Sequence, residues 1–261
     1  MVENNNQRQK TIAITRPFNR INEAVELVKS YGAEPFIAPT LELELTNSKT
    51  LKKLINSLDK LDWIIFTSPT SIESILTFYP DFKGKLNENC KIGAIGSKTK
   101  ESLEKEGLDV DLVPKVYTAE GIVESFKNID ISGKLIGIPR TLDARLILPE
   151  KLKEMGSNVL IAEAYRSRIP LDTLRIETLI SKIIADEIDA ITFTSPLTVK
   201  NLFKIVTDNQ KDELINKLST STLTVAIGPI TYEILNEYNI SAVYPEKYTV
   251  KDMIQLLFET L

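Results

Sequence analysis

The sequence predicts an α/β fold of two similar, doubly wound parallel-sheet domains that arose by internal duplication. Three observations lead there. Short continuous apolar runs alternate with amphipathic helical stretches, the pattern of parallel strands covered on both faces. The same local signatures occur twice in the same order. A chain of 261 residues also has room for two domains of ordinary size.

Each element can be placed in turn. Ile12-Ala-Ile-Thr-Arg-Pro17 reads as a strand ending at Arg16, followed by a helix that stops at Gly32. Leu135-Ile-Gly-Ile-Pro-Arg140 repeats it, with a helix stopping at Gly156, and both pairs share an offset of 124 residues (140 − 16 and 156 − 32). Residues 35–45 and 158–169 come next as unusually long strands. At roughly 3.3 Å per residue, each could leave one sheet and continue into a two-stranded connector.

Leu61 to Leu76 and Asp189 to Phe203 then share an apolar strand, Thr-Ser-Pro and a helix. Lys91 to Pro114 pairs with Thr224 to Pro245, each a strand, Ile-Gly, a helix and a further strand. Val116 to Phe126 matches Lys247 to Phe258, with Tyr117-Thr118 opposite Tyr248-Thr249. In such folds ligands bind at the carboxyl ends of the strands, where the repeated features fall.

Composition removes whole classes of function. With no histidine there is no Ser-His or Cys-His nucleophile pair and no imidazole base. The single cysteine, Cys90, excludes an internal disulfide and a Cys-rich metal site; beside an apolar run it reads first as a small buried thiol. No metal is expected. A net charge of −4 argues against broad nucleic-acid binding. No apolar run approaches the ~18 residues of a spanning helix, and the opening ten residues, mostly polar and with no apolar region behind the basic ones, read as a frayed tail rather than a targeting segment. A cytoplasmic protein away from membranes is the expectation.

Ser68 and Ser195 read as helix N-caps followed by proline at the first helical position, which is enough to explain both. The functional reading adds that a helix N-terminus attracts anions, with Thr67, Ser68, Thr194 and Ser195 supplying hydroxyls beside it. The Ile-Gly turns, Gly96-Ser97 and Gly228-Pro-Ile230-Thr231, repeat that logic with a glycine that would let a ligand approach the backbone. Gly93 to Thr99 fails as a phosphate-binding P-loop, because its spacing is wrong, and no dinucleotide fingerprint occurs. Arg16 and Arg140 suit carboxylate binding as well as a structural ion pair, with Arg145 a weaker third. Tyr165 is either a half-buried packing residue or a proton donor in a chain without histidine.

Phe66-Thr-Ser-Pro69, Phe193-Thr-Ser-Pro196, Ile227-Gly-Pro-Ile-Thr231, Ile14-Thr-Arg-Pro17 and Tyr165-Arg166 together resemble the uroporphyrinogen-III synthase family of tetrapyrrole biosynthesis, from about Thr11 onward. The resemblance implies two flavodoxin-like domains joined by a two-stranded β-ladder. Residues 1–40 and 170–261 would form one discontinuous domain and residues 41–169 the other, with ladder strands near 36–45 and 158–169.

It also implies the reaction: hydroxymethylbilane, a linear tetrapyrrole, closes to uroporphyrinogen III in the cleft between the domains, losing water and inverting ring D through a spiro intermediate. No cofactor is implied. Tyr165 stands where the family's tyrosine assists departure of the hydroxyl. Thr231 matches the second of two hydroxyl positions, while Ile230 departs from the first, leaving its backbone amide. The strand-end groups would hold the substrate's acetate and propionate arms. A monomer is implied, and the upstream hydroxymethylbilane synthase is the partner that a hand-over of unstable substrate would involve. The alternative is an intracellular bilobal binding protein for a polyanionic small molecule.

Overall fold

A computed structural model describes residues 8–261; residues 1–7 of the stretch expected to fray lie outside it. Residues 8–10 are held. Arg8 and Lys10 meet Asp189 at 3.0 and 3.1 Å, and Gln9 donates to the Gly32 carbonyl at 3.0 Å. Asp189 also accepts the Thr11 amide at 2.8 Å, so one carboxylate gathers the approach to the first strand.

In chain order the regular elements begin with β1 (Thr11–Ile14), α1 (Asn22–Ser30), β2 (Glu34–Ile37) and β3 (Glu42–Leu45). Then come α2 (Lys49–Ile55), β4 (Trp63–Phe66), α3 (Pro69–Phe78), α4 (Phe82–Lys85), β5 (Lys91–Ala94), α5 (Ser97–Lys105) and α6 (Ala119–Phe126). They are followed by β6 (Leu135–Arg140), α7 (Ile147–Glu154), β7 (Asn158–Glu163), β8 (Tyr165–Arg168) and α8 (Leu174–Ile184). The last are β9 (Ala190–Phe193), α9 (Pro196–Ile205), α10 (Asp208–Thr220), β10 (Leu223–Ala226), α11 (Pro229–Glu237) and α12 (Val250–Thr260). The expected class, α/β with parallel sheets, is what the chain forms.

The chain divides into two compact units. The first comprises the described part of Met1–Glu42 with Arg168–Leu261, the second Leu43–Ser167. In the first, four strands run in the order β10-β9-β1-β2, every pairing parallel. Strand alternation sends Ile12 and Ile14 to one face, against α1 and α12, and Ala13 to the other, with residues of α8 and α9. Both faces are therefore covered.

The second unit repeats the plan with the order β5-β4-β6-β7, again parallel. Trp63 and Ile65 pack with α6 and α7, Ile64 and Phe66 with α2 and α3. Each fully buried Ile, Leu or Phe contributes about 1.5–3 kcal/mol relative to exposure. These two-sided cores hold the strand ends in place.

The long strands expected over 35–45 and 158–169 are each interrupted. The amides of Ala38 and Thr40 still bond the carbonyls of Ile14 and Thr15, at 3.1 and 3.0 Å, and Pro39 between them has no N–H to offer. Ala164 likewise bonds Arg140 at 2.9 Å. Beyond those points the parallel partner strand has ended, and β3 and β8 find a new ladder in each other as a two-stranded sheet.

Candidate functional site

In the second unit the strand ends converge on one cavity of about 300 Å³, whose lining includes Thr67, Tyr117, Thr118, Arg140, Arg145 and Tyr165. Thr67 comes from the end of β4, Arg140 from the last position of β6, and Tyr165 from the first of β8. Tyr165 is 7% exposed, with its ring in the core cluster behind the cavity. Its phenol has no hydrogen-bond partner among the described residues. A donor kept free at a cavity wall can protonate a ligand oxygen.

Arg140 is 3% exposed, and burial lowers its pKa from the ordinary guanidinium value, with neighbouring Tyr165 opposing. Its Nε donates to the Thr141 carbonyl at 3.0 Å and its Nη2 to that of Arg145 at 2.9 Å. The expected carboxylate clamp thus has two donors engaged in organising the loop before α7. Arg145 pairs with Glu120 at 3.0 Å. Glu120 lies below the usual carboxylate range because of a hydrogen bond to its own amide first, and then Arg145.

The matching arginine of the first unit is held differently. Arg16 follows β1, and its Nε and Nη1 are buried with no hydrogen-bond partner. Burial lowers its pKa, Glu23 opposes and Arg20 reinforces. A buried donor left unmatched costs about 1–3 kcal/mol, so this guanidinium is suited to an incoming carboxylate.

Both Thr-Ser-Pro turns cap helices. Ser68 Oγ accepts the Thr70 amide at 3.1 Å. Ser195 Oγ accepts that of Thr198 at 3.3 Å, and Thr198 Oγ1 in turn accepts the Ser195 amide. A capping hydroxyl uses a lone pair and keeps its proton, so capping and ligand contact are compatible at the half-buried Ser195. Thr67, Thr194 and Ser195 are half-buried, while Ser68 is buried.

The glycine turns need a correction. Gly96 and Gly228 are the N-caps of α5 and α11, but neither lies open to a ligand. A Cβ on Gly96 would stand 2.9 Å from the ring Cγ of Tyr117, and one on Gly228 would stand 3.1 Å from the ring of Tyr248. Each glycine makes room for the tyrosine of its own repeat. Ser97 is exposed, Thr231 is 2% exposed and Ile230 69% exposed, so the reachable side chain of the α11 turn is Ile230.

Sequence reasoning did not single out Tyr117 and Thr118 as site residues. The signal existed in the repetition of Tyr-Thr after each Ile-Gly turn: Thr118 and Thr249 cap α6 and α12 by accepting the amides of Gly121 and Asp252, at 3.0 and 3.1 Å. Among the described residues, no cluster of three or more His, Cys, Asp or Glu could hold a metal ion, and no helix is long and apolar enough to cross a membrane.

Fold and site define a doubly wound α/β protein that offers arginines, hydroxyls and a free phenol at its strand ends, groups suited to a carboxylate-bearing small molecule. The chain belongs to the uroporphyrinogen-III synthase family: the model described as uroporphyrinogen-III synthase HemD matches residues 22–255. A protein of Methanothermobacter thermautotrophicus, provisionally named uroporphyrinogen-III synthase, is 46% identical over 246 residues, covering 94% of this chain and 96% of its own. The uroporphyrinogen-III synthase of Chlorobaculum parvum is 26% identical over 259 residues, covering 97% of this chain and 99% of its own.

Among solved structures, a mutant uroporphyrinogen III synthase of Thermus thermophilus has a TM-score of 0.62 at 20% identity, covering 96% of this chain and 98% of that one. The uroporphyrinogen-III synthetase of Helicobacter pylori has a TM-score of 0.63 at 16% identity, covering 97% and 100%. These two show the shared fold. Family membership places the chain in tetrapyrrole synthesis, and the binding-protein alternative finds no support in these relatives.

Proposed function

We propose that this chain is a hydro-lyase that converts hydroxymethylbilane to uroporphyrinogen III. Family membership over nearly the whole length of the relatives carries this reading. The bond changes ask little of the protein beyond position and charge. The C–O bond of the terminal hydroxymethyl group breaks and the oxygen leaves as water, taking a proton. The resulting azafulvene cation is attacked by the substituted carbon of ring D, forming a spiro intermediate. That intermediate opens and recloses with ring D inverted, and a proton is lost. The net change is loss of water, with no electron acquired or released.

Tyr165 is the donor to the departing oxygen, since its phenol is free at the cavity wall. Thr67 and Arg140 face the same cavity and would orient the ring that carries the leaving group. Ser97, exposed at the start of α5, would supply a hydroxyl donor in the same unit. In the first unit, Arg16 would take a carboxylate on its unmatched N–H groups, with Thr194 and Ser195 as further polar contacts. Ile230 contributes an apolar face where the resemblance led us to expect a hydroxyl.

We further read the two units as flavodoxin-like copies of one ancestral unit, because their sheets share one strand order relative to the repeated motifs. The active species is expected to be a monomer; sedimentation at 29.3 kDa would agree, and twice that mass would not.

The direct test is a coupled assay. Hydroxymethylbilane is generated by its upstream synthase, this protein is added, and the oxidised porphyrin isomers are separated. Isomer III is expected. Isomer I alone, from protein shown to be folded, would overturn the assignment.

A further inference from the structure

Tyr117 has no part in the reaction as drawn, yet its surroundings single it out. The residue is 58% exposed, although its ring sits on Gly96 so closely that a Cβ there would meet Cγ at 2.9 Å and Cδ2 at 3.0 Å. The next residue, Thr118, caps α6. One edge of the ring is therefore seated on backbone and its main chain is anchored by the cap, while the remainder of the ring stays uncovered. Tyr248 on Gly228 shares the seat, at 3.1 Å, so the seat itself belongs to the repeat. What distinguishes Tyr117 is its view: it walls the cavity that holds Tyr165, Arg140 and Thr67.

We propose that Tyr117 is a substrate-binding residue whose ring packs against a pyrrole ring of the tetrapyrrole, and that position 96 is glycine because the tyrosine must be seated there. This deepens the synthase reading and rests on it. A pyrrole is planar and electron-rich, so offset or edge-on contact with a phenol ring is favourable. A ring already fixed by its seat loses little freedom when the ligand arrives. The cavity of about 300 Å³ has room for one such ring with its acidic arms, and Arg140 and Arg145 in its wall match their charge.

Steady-state kinetics with isomer analysis test the proposal, beginning with the unmodified chain. If that chain yields no isomer III, the synthase reading itself has failed. If it does, Tyr117→Ala is expected to raise KM roughly two- to tenfold with kcat little changed, the mark of binding lost equally from ground and transition states. Tyr117→Phe keeps the ring and should recover most of that loss. Gly96→Ala displaces the ring and should raise KM to a similar extent. Combining it with Tyr117→Ala should add little further, because both changes remove the same contact. An unchanged KM in Tyr117→Ala, accompanied by a lower Tm, would overturn the proposal and leave the ring a shield for the α5 turn. Full additivity of the two substitutions in KM would overturn the seat.

Discussion

Arg16 and Arg140 occupy matching places in the sequence and differ in what holds them. Arg140 donates to two loop carbonyls, whereas Arg16 buries two donors unmatched. Arg140→Met should therefore lower stability by about 2–3 kcal/mol in urea unfolding. Arg16→Met should leave the free protein equally or more stable while raising KM about tenfold, since the orphaned donors cost free energy until a carboxylate arrives. Equal stability losses in the two variants would refute the distinction. For Tyr165→Phe, turnover should fall roughly ten- to hundredfold with an unchanged far-UV spectrum; unaltered turnover would remove the phenol from the mechanism. Sequence could name the two arginines because each closes a repeated strand, and Tyr165 because it follows the long strand of the second unit in a chain without histidine. It could not tell the arginines apart, because their difference lies in carbonyls supplied by the loop after Arg140. Nor could it join Gly96 to Tyr117, a contact made across a helix and a loop with no local spacing to betray it.

At the scale of elements, the Thr-Ser-Pro turns show how fully capping was written in the chain. Ser195 forms a reciprocal capping box with Thr198, while Ser68 caps α3 by accepting the Thr70 amide. Ser195→Ala should cost about 1 kcal/mol in urea unfolding, and replacement by aspartate should retain most of it. A loss below measurement error would show that the hydroxyl does not stabilise α9. Strands were legible from their apolar runs, and helix ends from Gly32 and Gly156, whose φ of 77° and 88° explains the glycine at each. The interruptions at Pro39 and Ala164 were not legible. An apolar or alternating pattern continues across them, and the cause is that the neighbouring strands, β1 and β6, stop.

For the molecule as a whole, acid sensitivity follows from carboxylates distributed over both units. Asp62 is held below its usual 3.8 chiefly by the Leu135 amide and then by Lys134. Asp186, through Lys217 and Ser221, and Glu187, through Lys182, are lowered likewise in the first unit. A depressed folded-state pKa gives stability that is present above the unfolded value and is lost as pH falls through the folded one. The urea midpoint should thus stay level from pH 7 to about 5 and fall below about 4; a fall between pH 7 and 6 would point to other groups. The interleaved course of the chain has a further consequence, for folding during synthesis. Strand β1 lies between β2 and β9, and Asp189, which receives the Thr11 amide just ahead of β9, is translated 178 residues later. At about 5–20 residues per second, β1 and β2 wait roughly 10 to 35 seconds with an open strand edge, while all of residues 43–167 emerge and can fold. The nascent chain is therefore most exposed to misassociation at its earliest-made strands, and a ribosome-bound chaperone would find its binding site there.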